Sequence, residues 1–299
     1  MASGPSTSSG PERPCAALEW RQFSGSYFLP PKGGSHPTIQ VHVSTRRVEY
    51  DAVAAGYDER WETSRYDGVL AALERFIGGP GESASRDIAE VGCGTGHWLA
   101  ALRDRARRHA GLDLSSEMLK RARMAAPFAI LARGRAEQLP WPAARFDRLF
   151  CINALHHFSD PDAFIREAGR VLRPRGGFLT IGLDPHAGLD SWWVYDYFPS
   201  TLETDCARFQ PTARIRERLQ AAGFAVATTE VVQHLPLELR TDEAKQRRLL
   251  DRTSKSQLLL LTDAEYDAGL RRITVEQPVL RADLRLFATT GVLGIMPTG

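Results

Sequence analysis

The sequence predicts an α/β protein built on a mostly parallel sheet with helices on both faces. Beyond Arg47, helical stretches alternate with short β-branched or apolar runs, which is the pattern of strand–helix–strand units. A glycine-rich loop follows the first of these runs and leads directly into a helix. The length of 299 residues, with 43% hydrophobic and 25% charged residues, is typical of a globular protein and excludes collagen, a coiled coil and wholesale disorder.

Seven apolar or β-branched runs are predicted to be strands. They are residues 87–91, 110–113, 129–132, 148–152, 177–183, 224–232 and 284–290. Helical spacing between these runs predicts helices over 98–107, 116–124, 161–172 and 212–222. Pro161 suits a first helical turn, Thr212 is a candidate N-cap, and Gly223 is a candidate stop for the last of these helices.

The N-terminal segment and one long connection do not fit this alternation. Residues 1–46 begin with Ser, Gly, Pro and Thr and continue with a few aromatic residues among prolines and glycines, which predicts a disordered tail and an irregular arm. The connection between the last two strands is far longer than a hairpin loop and shows helical spacing in pieces, which predicts a helical cap over 233–282. The core is then expected over 47–232, completed by a final strand within 283–299.

Composition and charge limit the expected partners. The 38 Lys and Arg residues against 36 Asp and Glu give a formal charge of +2, and the basic residues are scattered, so nucleic acid is not an expected partner. No apolar stretch approaches the roughly 18 residues of a membrane helix, and the N-terminus lacks the apolar region of a secretory signal. A cytoplasmic protein without a membrane partner is therefore expected.

The cysteines predict thiols and no metal centre. Cys15, Cys93, Cys151 and Cys206 lie far apart and without CxxC spacing, so reduced thiols are expected rather than a disulfide framework or a zinc site. No cluster of His and carboxylate residues with metal-ligand spacing appears outside the region of the glycine loop, so no metal is expected.

A strand, an acidic residue and a glycine loop form the pattern with the clearest chemical meaning. Glu90 lies near the end of the first predicted strand, and Gly92, Gly94 and Gly96 follow before the next helix. Glycines allow close approach of the backbone to a ligand, and a helix N-terminus offers N–H donors to a carboxylate or phosphate. About 20 residues further on, the second strand ends at Asp113, which can either accept hydrogen bonds from the ribose hydroxyls of an adenosine ligand or cap the helix that follows. The glycine loop favours the ribose role.

Seven stretches carry a resemblance to a known family. They are YDAVAAGYD (50–58), EVGCGTG (90–96), GLDLS (111–115), AEQLPW (136–141), FD (146–147), NALHH (153–157) and VLRPRGG (171–177). Together they resemble the class I S-adenosylmethionine-dependent methyltransferases, in the type 11 group that includes ubiquinone and menaquinone C-methyltransferases. The resemblance implies a Rossmann-like seven-stranded sheet of order 3-2-1-4-5-7-6 with an antiparallel last strand. It also implies S-adenosylmethionine as cofactor and methyl transfer to an O, N, C or S nucleophile of a small-molecule acceptor.

The cofactor site that the resemblance implies is formed by Tyr57, Glu90, Gly92, Cys93, Gly94, Gly96, Asp113, Leu114, Ala136, Glu137 and Asn153. The glycine loop would lie under the methionine end of the cofactor, with Glu90 as acceptor for its amino group and Asp113 on the ribose. Leu114 would pack on the adenine ring, and the Ala136 N–H and the neighbourhood of Glu137 would edge that ring. Cysteine in the loop is expected to fill space rather than to act as a nucleophile.

Two further positions complete the implied site, and one departs from the family pattern. Tyr57 would close over the cofactor, and Asn153 would lie near the methionine moiety and the acceptor. Where the family has Gly-Asp-Ala-Glu, this chain has Arg135 in place of the Asp. That Asp accepts a hydrogen bond from the adenine amine, whereas Arg135 has only donors. The departure predicts weaker cofactor binding or a shifted adenine that stacks on the guanidinium.

Several assignments stay open at the level of sequence. His156, near the end of the fourth strand, is the candidate catalytic base, although paired histidines are common to the type 11 pattern across unlike acceptors, which favours a structural role. Five aromatic residues follow the fifth strand, and they are expected either to line an acceptor pocket or to pack between the sheet and the cap. They are Trp192, Trp193, Tyr195, Tyr197 and Phe198. The alternatives to a small-molecule methyltransferase are a methyltransferase acting on RNA or protein and a fold relative that binds the cofactor without methyl transfer. The sequence does not determine the acceptor, the methylated atom or the oligomeric state.

Overall fold

One mixed sheet organises the part of the chain that this computed structural model describes, namely residues 48, 50–54, 57–58, 65–78, 81 and 85–294. Its strands are β1 Asp87–Val91, β2 Arg108–Asp113, β3 Ile130–Arg133, β4 Phe146–Ile152, β5 Leu172–Gly182, β6 Ser191–Trp192, β7 Phe224–Arg240 and β8 Val279–Leu293. The predicted disordered tail and irregular arm over 1–46 lie outside the described residues.

The strand order is that of the implied fold. Strands β3, β2, β1, β4 and β5 are neighbours in that order and run parallel, and β8 pairs with β5 in the antiparallel direction. β7 then pairs with β8 along its whole length, from Phe224 opposite Leu293 to Arg240 opposite Val279. Apart from β6, this is the predicted order 3-2-1-4-5-7-6 with an antiparallel last strand, so that prediction is confirmed. The parallel strands bring the ends of β1, β2 and β4 to one edge of the sheet.

The antiparallel end of the sheet differs from the prediction. The two-residue strand β6 pairs with residues 282–283 of β8 and makes an eighth strand among the described residues. β7 is 17 residues long and β8 is 15, so residues 233–240 and 279–282, which the sequence assigned to the cap, are strand residues. Leu235, Leu237 and Leu239 alternate with other residues at the period of a strand. Pro236 obscured this signal, but proline is tolerated because β7 lies at the sheet edge.

Helices cover the sheet and form the cap. They are α1 Asp67–Ile77, α2 His97–Ala101, α3 Ser116–Ala125, α4 Pro161–Val171, α5 Trp193–Tyr197, α6 Ser200–Arg208, α7 Thr212–Ala221, α8 Thr241–Gln246, α9 Ser256–Leu259 and α10 Asp263–Glu276. The helix predicted over 98–107 ends early because the chain turns back to β2 through a 3-10 turn. Thr212 is the first residue of α7 rather than its N-cap, and its N–H donates to Asp184 Oδ2 at 2.8 Å. Gly223 follows α7 with φ of 86°, as expected of a glycine stop.

Apolar side chains fill both faces of the sheet. Consecutive residues of β4 alternate between two clusters, with Leu149 and Cys151 in one and Phe150 and Ile152 in the other. All five residues of β1 are buried, as expected of a central strand covered on both sides. Burial of one Phe or Leu side chain contributes about 1.5–3 kcal/mol. Packing of the two clusters therefore fixes the positions of β1, β2 and β4, whose ends form the edge described above.

The cap packs on the aromatic residues after β5. Trp193 and Phe198 join Leu258, Leu261 and Ile273 of the cap in a third apolar cluster. Gly269 of α10 approaches Phe198 so closely that a Cβ there would lie 2.2 Å from the Phe198 ring. The packing alternative is therefore realised by most of this aromatic run.

The cysteines do not all remain thiols. Cys93 and Cys151 are free and buried, whereas Cys206 in α6 is disulfide-bonded. The expectation of reduced thiols is wrong for Cys206, because a bond between residues distant in sequence leaves no spacing signal. No helix of the described residues has the length and apolarity needed to cross a bilayer. No group of three or more His, Cys, Asp or Glu among them could hold a metal ion.

Candidate functional site

The loop after β1 is a tight turn held by left-handed glycines. Gly92, Gly94 and Gly96 have φ of 75°, 52° and 81°, a region that favours glycine. A Cβ on Gly92 would lie 2.4 Å from the Cβ of Ala154, so packing also requires glycine there. A Cβ on Gly94 would meet nothing nearer than Tyr57 Cε1 at 4.0 Å. Gly94 therefore borders an open space between the loop and Tyr57.

Asp113, at the end of β2, folds back onto this loop. Its Oδ2 accepts the N–H of Gly94 at 2.8 Å, and its Oδ1 accepts the N–H of Ser115 at 2.9 Å. A carboxylate has about four acceptor positions, so capacity is left for ribose hydroxyls. Burial raises the pKa of Asp113 above its usual value, and the backbone hydrogen bonds oppose that shift. Ser115 is the N-cap of α3, since its Oγ accepts the N–H of Met118 at 3.1 Å, so Asp113 is not needed for that role.

Glu90 lies beneath the loop with a carboxyl oxygen that has no partner. The residue is 1% exposed, and its Oε2 makes no hydrogen bond. Burial, together with the negative charge of Asp113, raises the pKa of Glu90 well above its usual range, while a hydrogen bond with the backbone of Leu99 opposes the shift. An unsatisfied buried polar group is rare because it costs about 1–3 kcal/mol. This oxygen is therefore free to accept a hydrogen bond from a ligand.

Cys93 contributes its backbone to the loop and its side chain to the core. Its N–H donates to the carbonyl of Leu112 at 3.0 Å. Its Sγ lies 3.0 Å from the place that a Cβ on Gly111 would occupy, and it packs with Leu99 and other buried residues. Burial raises the pKa of Cys93 well above its usual value. The side chain is therefore a neutral thiol that fills space.

A short N-terminal segment, residues 50–54 and 57–58, is tied to two of these loops and is called the strap below. Asp51 accepts hydrogen bonds from Ser115 Oγ and, at 3.2 Å, from the N–H of Glu117. Asp58 accepts one from Thr95 Oγ1 at 2.6 Å. The strap is therefore bonded both to the glycine loop and to the start of α3, beside Asp113.

Leu114 is a large apolar side chain that the described residues leave 56% exposed. Its carbonyl accepts a hydrogen bond from Arg133 Nε at 3.0 Å, which fixes the backbone at this point. The side chain follows directly after Asp113. It is therefore available for packing against a bound ligand beside that carboxylate.

The loop after β3 carries the other residues assigned to the adenine. Ala136 is buried, and Glu137 Oε1 accepts the N–H groups of Ser159 and Asp160 at 2.6 and 3.2 Å. Arg135 donates to Ser159 Oγ at 2.8 Å and lies 3.4 Å from Glu137 Oε2. Arg135 and Glu137 therefore hold the loop that precedes α4.

Asn153 and His156 follow β4 at the same edge of the sheet. Asn153 has φ of 49°, a left-handed conformation that asparagine tolerates better than most residues. His156 stacks on Phe209 with ring centroids 3.9 Å apart. Burial, and then the positive charges of His157 and Arg208, lower the pKa of His156 well below its usual range. The His156 ring is therefore neutral at physiological pH.

His157 faces the strap. Tyr50 Oη lies 2.5 Å from His157 Nε2, and the two rings meet edge to face with centroids 5.0 Å apart. Tyr50 also makes an edge contact with Tyr57 at 6.0 Å. Sequence reasoning gave a role to Tyr57 and chose His156 over its neighbour His157, but it missed Tyr50 and the aspartates of the strap. The stretch 50–58 was part of the resemblance, but only the fold joins positions 107 residues apart.

A cavity of about 870 Å³ opens beside these residues. Three parts of the fold form its wall. They are the strap together with the end of β4, the paired strands β7 and β8, and the cap. Lining residues include Tyr50, Tyr57, Asn153, His156, His157, Trp192, Leu235, Lys255, Gln257 and Leu284. Its volume falls within the range of roughly 300–1,000 Å³ that small-molecule sites occupy. Trp192 is thus the member of the aromatic run that lines the cavity.

Comparisons with known proteins assign the family. A family model described as a methyltransferase domain matches residues 89–180. A malonyl-[acyl-carrier protein] O-methyltransferase of Serratia marcescens is 36% identical in an alignment 182 residues long that covers 54% of this chain and 69% of that protein. The chain belongs to the class I S-adenosylmethionine-dependent methyltransferases, in the type 11 group. S-adenosylmethionine is the cofactor of this family.

Other members of the methyltransferase family match over a shorter part of their length. A probable S-adenosylmethionine-dependent methyltransferase of Mycolicibacterium smegmatis is 33% identical over 156 residues, which are 50% of this chain and 56% of that protein. The chain therefore spans little more than half of that relative. The solved structure of the YcgJ protein of Bacillus subtilis superposes with a TM-score of 0.55 and 20% identity over 78% of this chain and all of that one, which shows the fold.

Proposed function

We propose that this methyltransferase carries the methyl group of S-adenosylmethionine to a small molecule bound in the cavity. The observation that carries the proposal is the unpartnered Oε2 of Glu90 below a glycine loop that Asp113 closes. These groups lie at the edge of the sheet where the cavity opens at Asn153 and Tyr57. Binding of the cofactor at one side and of the acceptor at the other would bring the two reactants together at that edge.

The residues present fit the cofactor. Its amino group would satisfy Glu90 Oε2, and its ribose hydroxyls would use the remaining acceptor capacity of Asp113. The open space at Gly94 leaves room for the methionine end, and the exposed Leu114 would pack on the adenine ring. The cofactor would thus give Glu90 Oε2 its missing hydrogen-bond donor, use the remaining acceptor capacity of Asp113 and cover the exposed side chain of Leu114.

The chemistry asks mainly for alignment. S-adenosylmethionine supplies a methyl group on a positively charged sulfur, which a nucleophile can attack directly. The chain binds the cofactor, holds the nucleophile near Asn153 and excludes water with the strap and the cap. His156 stays a candidate base because its ring is neutral, although its stacking on Phe209 supports the structural role as well.

The size of the cavity supports a small-molecule acceptor over RNA or a folded protein. The wall is formed by three separate parts of the fold and contains several leucines, as in pockets that enclose most of a ligand. The name of the Serratia relative places its acceptor on a carrier protein, so an acceptor arm presented by a protein is a second possibility. The absence of nucleic-acid and membrane partners and the cytoplasmic location stay predictions.

Calorimetric titration with S-adenosylhomocysteine and S-adenosylmethionine tests the proposal. Binding in the micromolar range is expected for the intact chain, and Asp113→Ala is expected to weaken it at least tenfold, because the ribose loses its acceptors. Asp104→Ala, on the exposed 3-10 turn after α2, is the matched control and should bind normally. No binding by the intact chain would contradict the cofactor assignment.

Arg135 is the one feature that favours a relative without methyl transfer. Arg135→Asp restores the family pattern, and we expect it to raise the affinity for S-adenosylhomocysteine roughly three- to tenfold, because an acceptor then faces the adenine amine. Arg166→Asp, at an exposed position of α4, is the charge-matched control. Unchanged or weaker binding by Arg135→Asp would show that Arg135 is itself part of the adenine site.

A further inference from the structure

Tyr50 and His157 form a hydrogen-bonded pair that faces the cavity from two distant parts of the chain. Tyr50 Oη lies 2.5 Å from His157 Nε2, and both residues line the cavity together with Asn153. A neutral imidazole carries its proton on one nitrogen only, and in the tautomer protonated at Nδ1 the Nε2 atom accepts a hydrogen bond from the Tyr50 phenol. His156 differs because its ring is stacked on Phe209.

We propose that Tyr50 and His157 are a proton relay that takes the proton from the acceptor nucleophile during methyl transfer. The inference rests on the proposed function and adds a proton path to it. His157 follows β4, and Tyr50 lies in the strap. Tyr57 of the same strap borders the open space at Gly94 and lines the cavity with both residues. A nucleophile held beside Asn153 is therefore within the same cavity as the phenol.

The step balances in atoms and electrons. A lone pair of the acceptor forms a bond to the methyl carbon while the carbon–sulfur bond breaks and leaves its electron pair on sulfur. The proton of the acceptor passes to Tyr50 Oη as the phenol proton passes to His157 Nε2, and the imidazolium releases it to solvent. The relay therefore serves acceptors that have both a lone pair and a proton to lose, namely hydroxyl, thiol or neutral amine groups, whereas a carboxylate needs none.

The strap ties this pair to the cofactor loop. Asp51, next in sequence to Tyr50, accepts hydrogen bonds from Ser115 Oγ and the N–H of Glu117. The N–H of Ser115 donates in turn to Asp113, the residue assigned to the ribose. A ligand on Asp113 is therefore linked through the hydrogen bonds of Ser115 to Asp51, the residue that follows Tyr50 in the strap. Cofactor binding is expected to order the strap and with it the relay.

Other titratable or charged groups face the same cavity and also influence the titration of His157. On the core side these are His156, whose ring lies 3.9 Å from that of His157, and Arg65. Strand β7 contributes His234. The cap contributes Arg247, Arg248, Asp251 and Lys255. None of these depends on Tyr50, so a Tyr50 variant isolates the contribution of the phenol.

Titration of the His157 ring by NMR, with the full ¹⁵N-labelled chain, tests the pair without an acceptor. Tyr50→Phe is expected to raise the titration midpoint of His157 by about half a pH unit or more, because the neutral ring loses a donor. Tyr197→Phe, whose hydroxyl bonds to Glu276 outside the cavity, is the matched control and should leave it unchanged. An unmoved midpoint in Tyr50→Phe would overturn the relay.

The link to the cofactor is tested with S-adenosylhomocysteine as the probe. Its addition is expected to move the His157 midpoint in the intact chain and to leave it unmoved in Asp51→Ala, while Asp104→Ala behaves as the intact chain. An equal response in Asp51→Ala would overturn the role of the strap. No binding to the intact chain would contradict the proposed function instead, and the Tyr50→Phe comparison without ligand would still decide whether the pair exists.

Methyl transfer to three probe acceptors tests the proton path. We expect Tyr50→Phe and His157→Gln to lower transfer from labelled S-adenosylmethionine to 2-naphthol or 1-octanethiol at least tenfold and to alter its pH profile, with far less effect on transfer to decanoate. Equal losses with all three probes would show a purely structural pair. His156→Gln, measured beside them, separates the two neighbouring histidines.

Discussion

Glu90 is the residue at which folding and cofactor binding place opposite demands on one side chain. Its carboxyl is buried, one oxygen has no partner, and burial raises the pKa of Glu90 well above its usual range. The folded ligand-free protein therefore holds this proton at pH values where the unfolded chain has lost it. Its contribution to the free energy of unfolding accordingly falls as the pH rises from the unfolded pKa, near 4.5, toward the folded one.

Glu90→Gln is expected to stabilise the ligand-free protein at pH 8 by about 1–2 kcal/mol, because an amide is neutral in the buried site without having to take up a proton on folding. The same variant is expected to bind S-adenosylhomocysteine roughly 10- to 100-fold more weakly, since a charge-assisted hydrogen bond is lost. Denaturant unfolding between pH 5 and 8 and calorimetry measure the two effects. A variant that is less stable and binds normally would show that Glu90 has only a structural role.

At the scale of elements, the cap is fastened to the core by close packing of α10 on the turn after α5. The Cβ absent from Gly269 would lie 2.2 Å from the Phe198 ring and 2.8 Å from the Tyr197 carbonyl oxygen. Gly169 in α4 offers a contrast, because a Cβ there would meet side chains at an ordinary 3.7 Å. The two helical glycines therefore differ in their packing alone.

Gly269→Ala is expected to lower the free energy of unfolding by about 1–3 kcal/mol, through displacement of α10. Gly169→Ala should be neutral or stabilising by up to about 1 kcal/mol, since alanine favours a helix. Hydrogen exchange is expected to rise across α10 in the first variant, while the affinity for S-adenosylhomocysteine is kept because the glycine loop lies in the core. Exchange that rises equally in both variants would contradict this account of the cap.

At the scale of the whole molecule, a buried carboxylate ties the sheet together at the edge opposite the site. Asp87 is fully buried at the start of β1 and accepts hydrogen bonds from Arg107 at 2.9 Å, Arg145 at 2.5 Å and Arg173 at 3.2 Å. Arg107 precedes β2, Arg145 precedes β4, and Arg173 is the second residue of β5. Hydrogen bonds from the three guanidinium groups lower the pKa of Asp87 well below its usual value despite its burial.

Asp87→Asn is expected to lower the free energy of unfolding by about 1.5–3 kcal/mol, because the neutral amide replaces a buried charge that accepts hydrogen bonds from three partly exposed guanidinium groups. In the intact protein this contribution is present above the unfolded pKa of Asp87, near 3.8, and is lost as the pH falls toward the folded pKa. Unfolding curves from pH 7 to pH 3 measure both effects, with Asp104→Asn as an exposed control. A variant as stable as the control would show that the cluster is solvated rather than buried.

The sequence by itself determined the glycine loop and the positions of Glu90 and Asp113, because these features are local, whereas the order of the sheet followed from the resemblance to the family. Each depends on a run of apolar residues, on glycines with left-handed backbone or on a fixed spacing between a strand and a loop. Tertiary structure alone decided what lies far apart in sequence. The contact of Tyr50 with His157, the bond of Asp51 to Ser115 and the walls of the cavity all join separate elements. No periodicity or spacing records such pairs, because the packing of whole helices and strands brings them together.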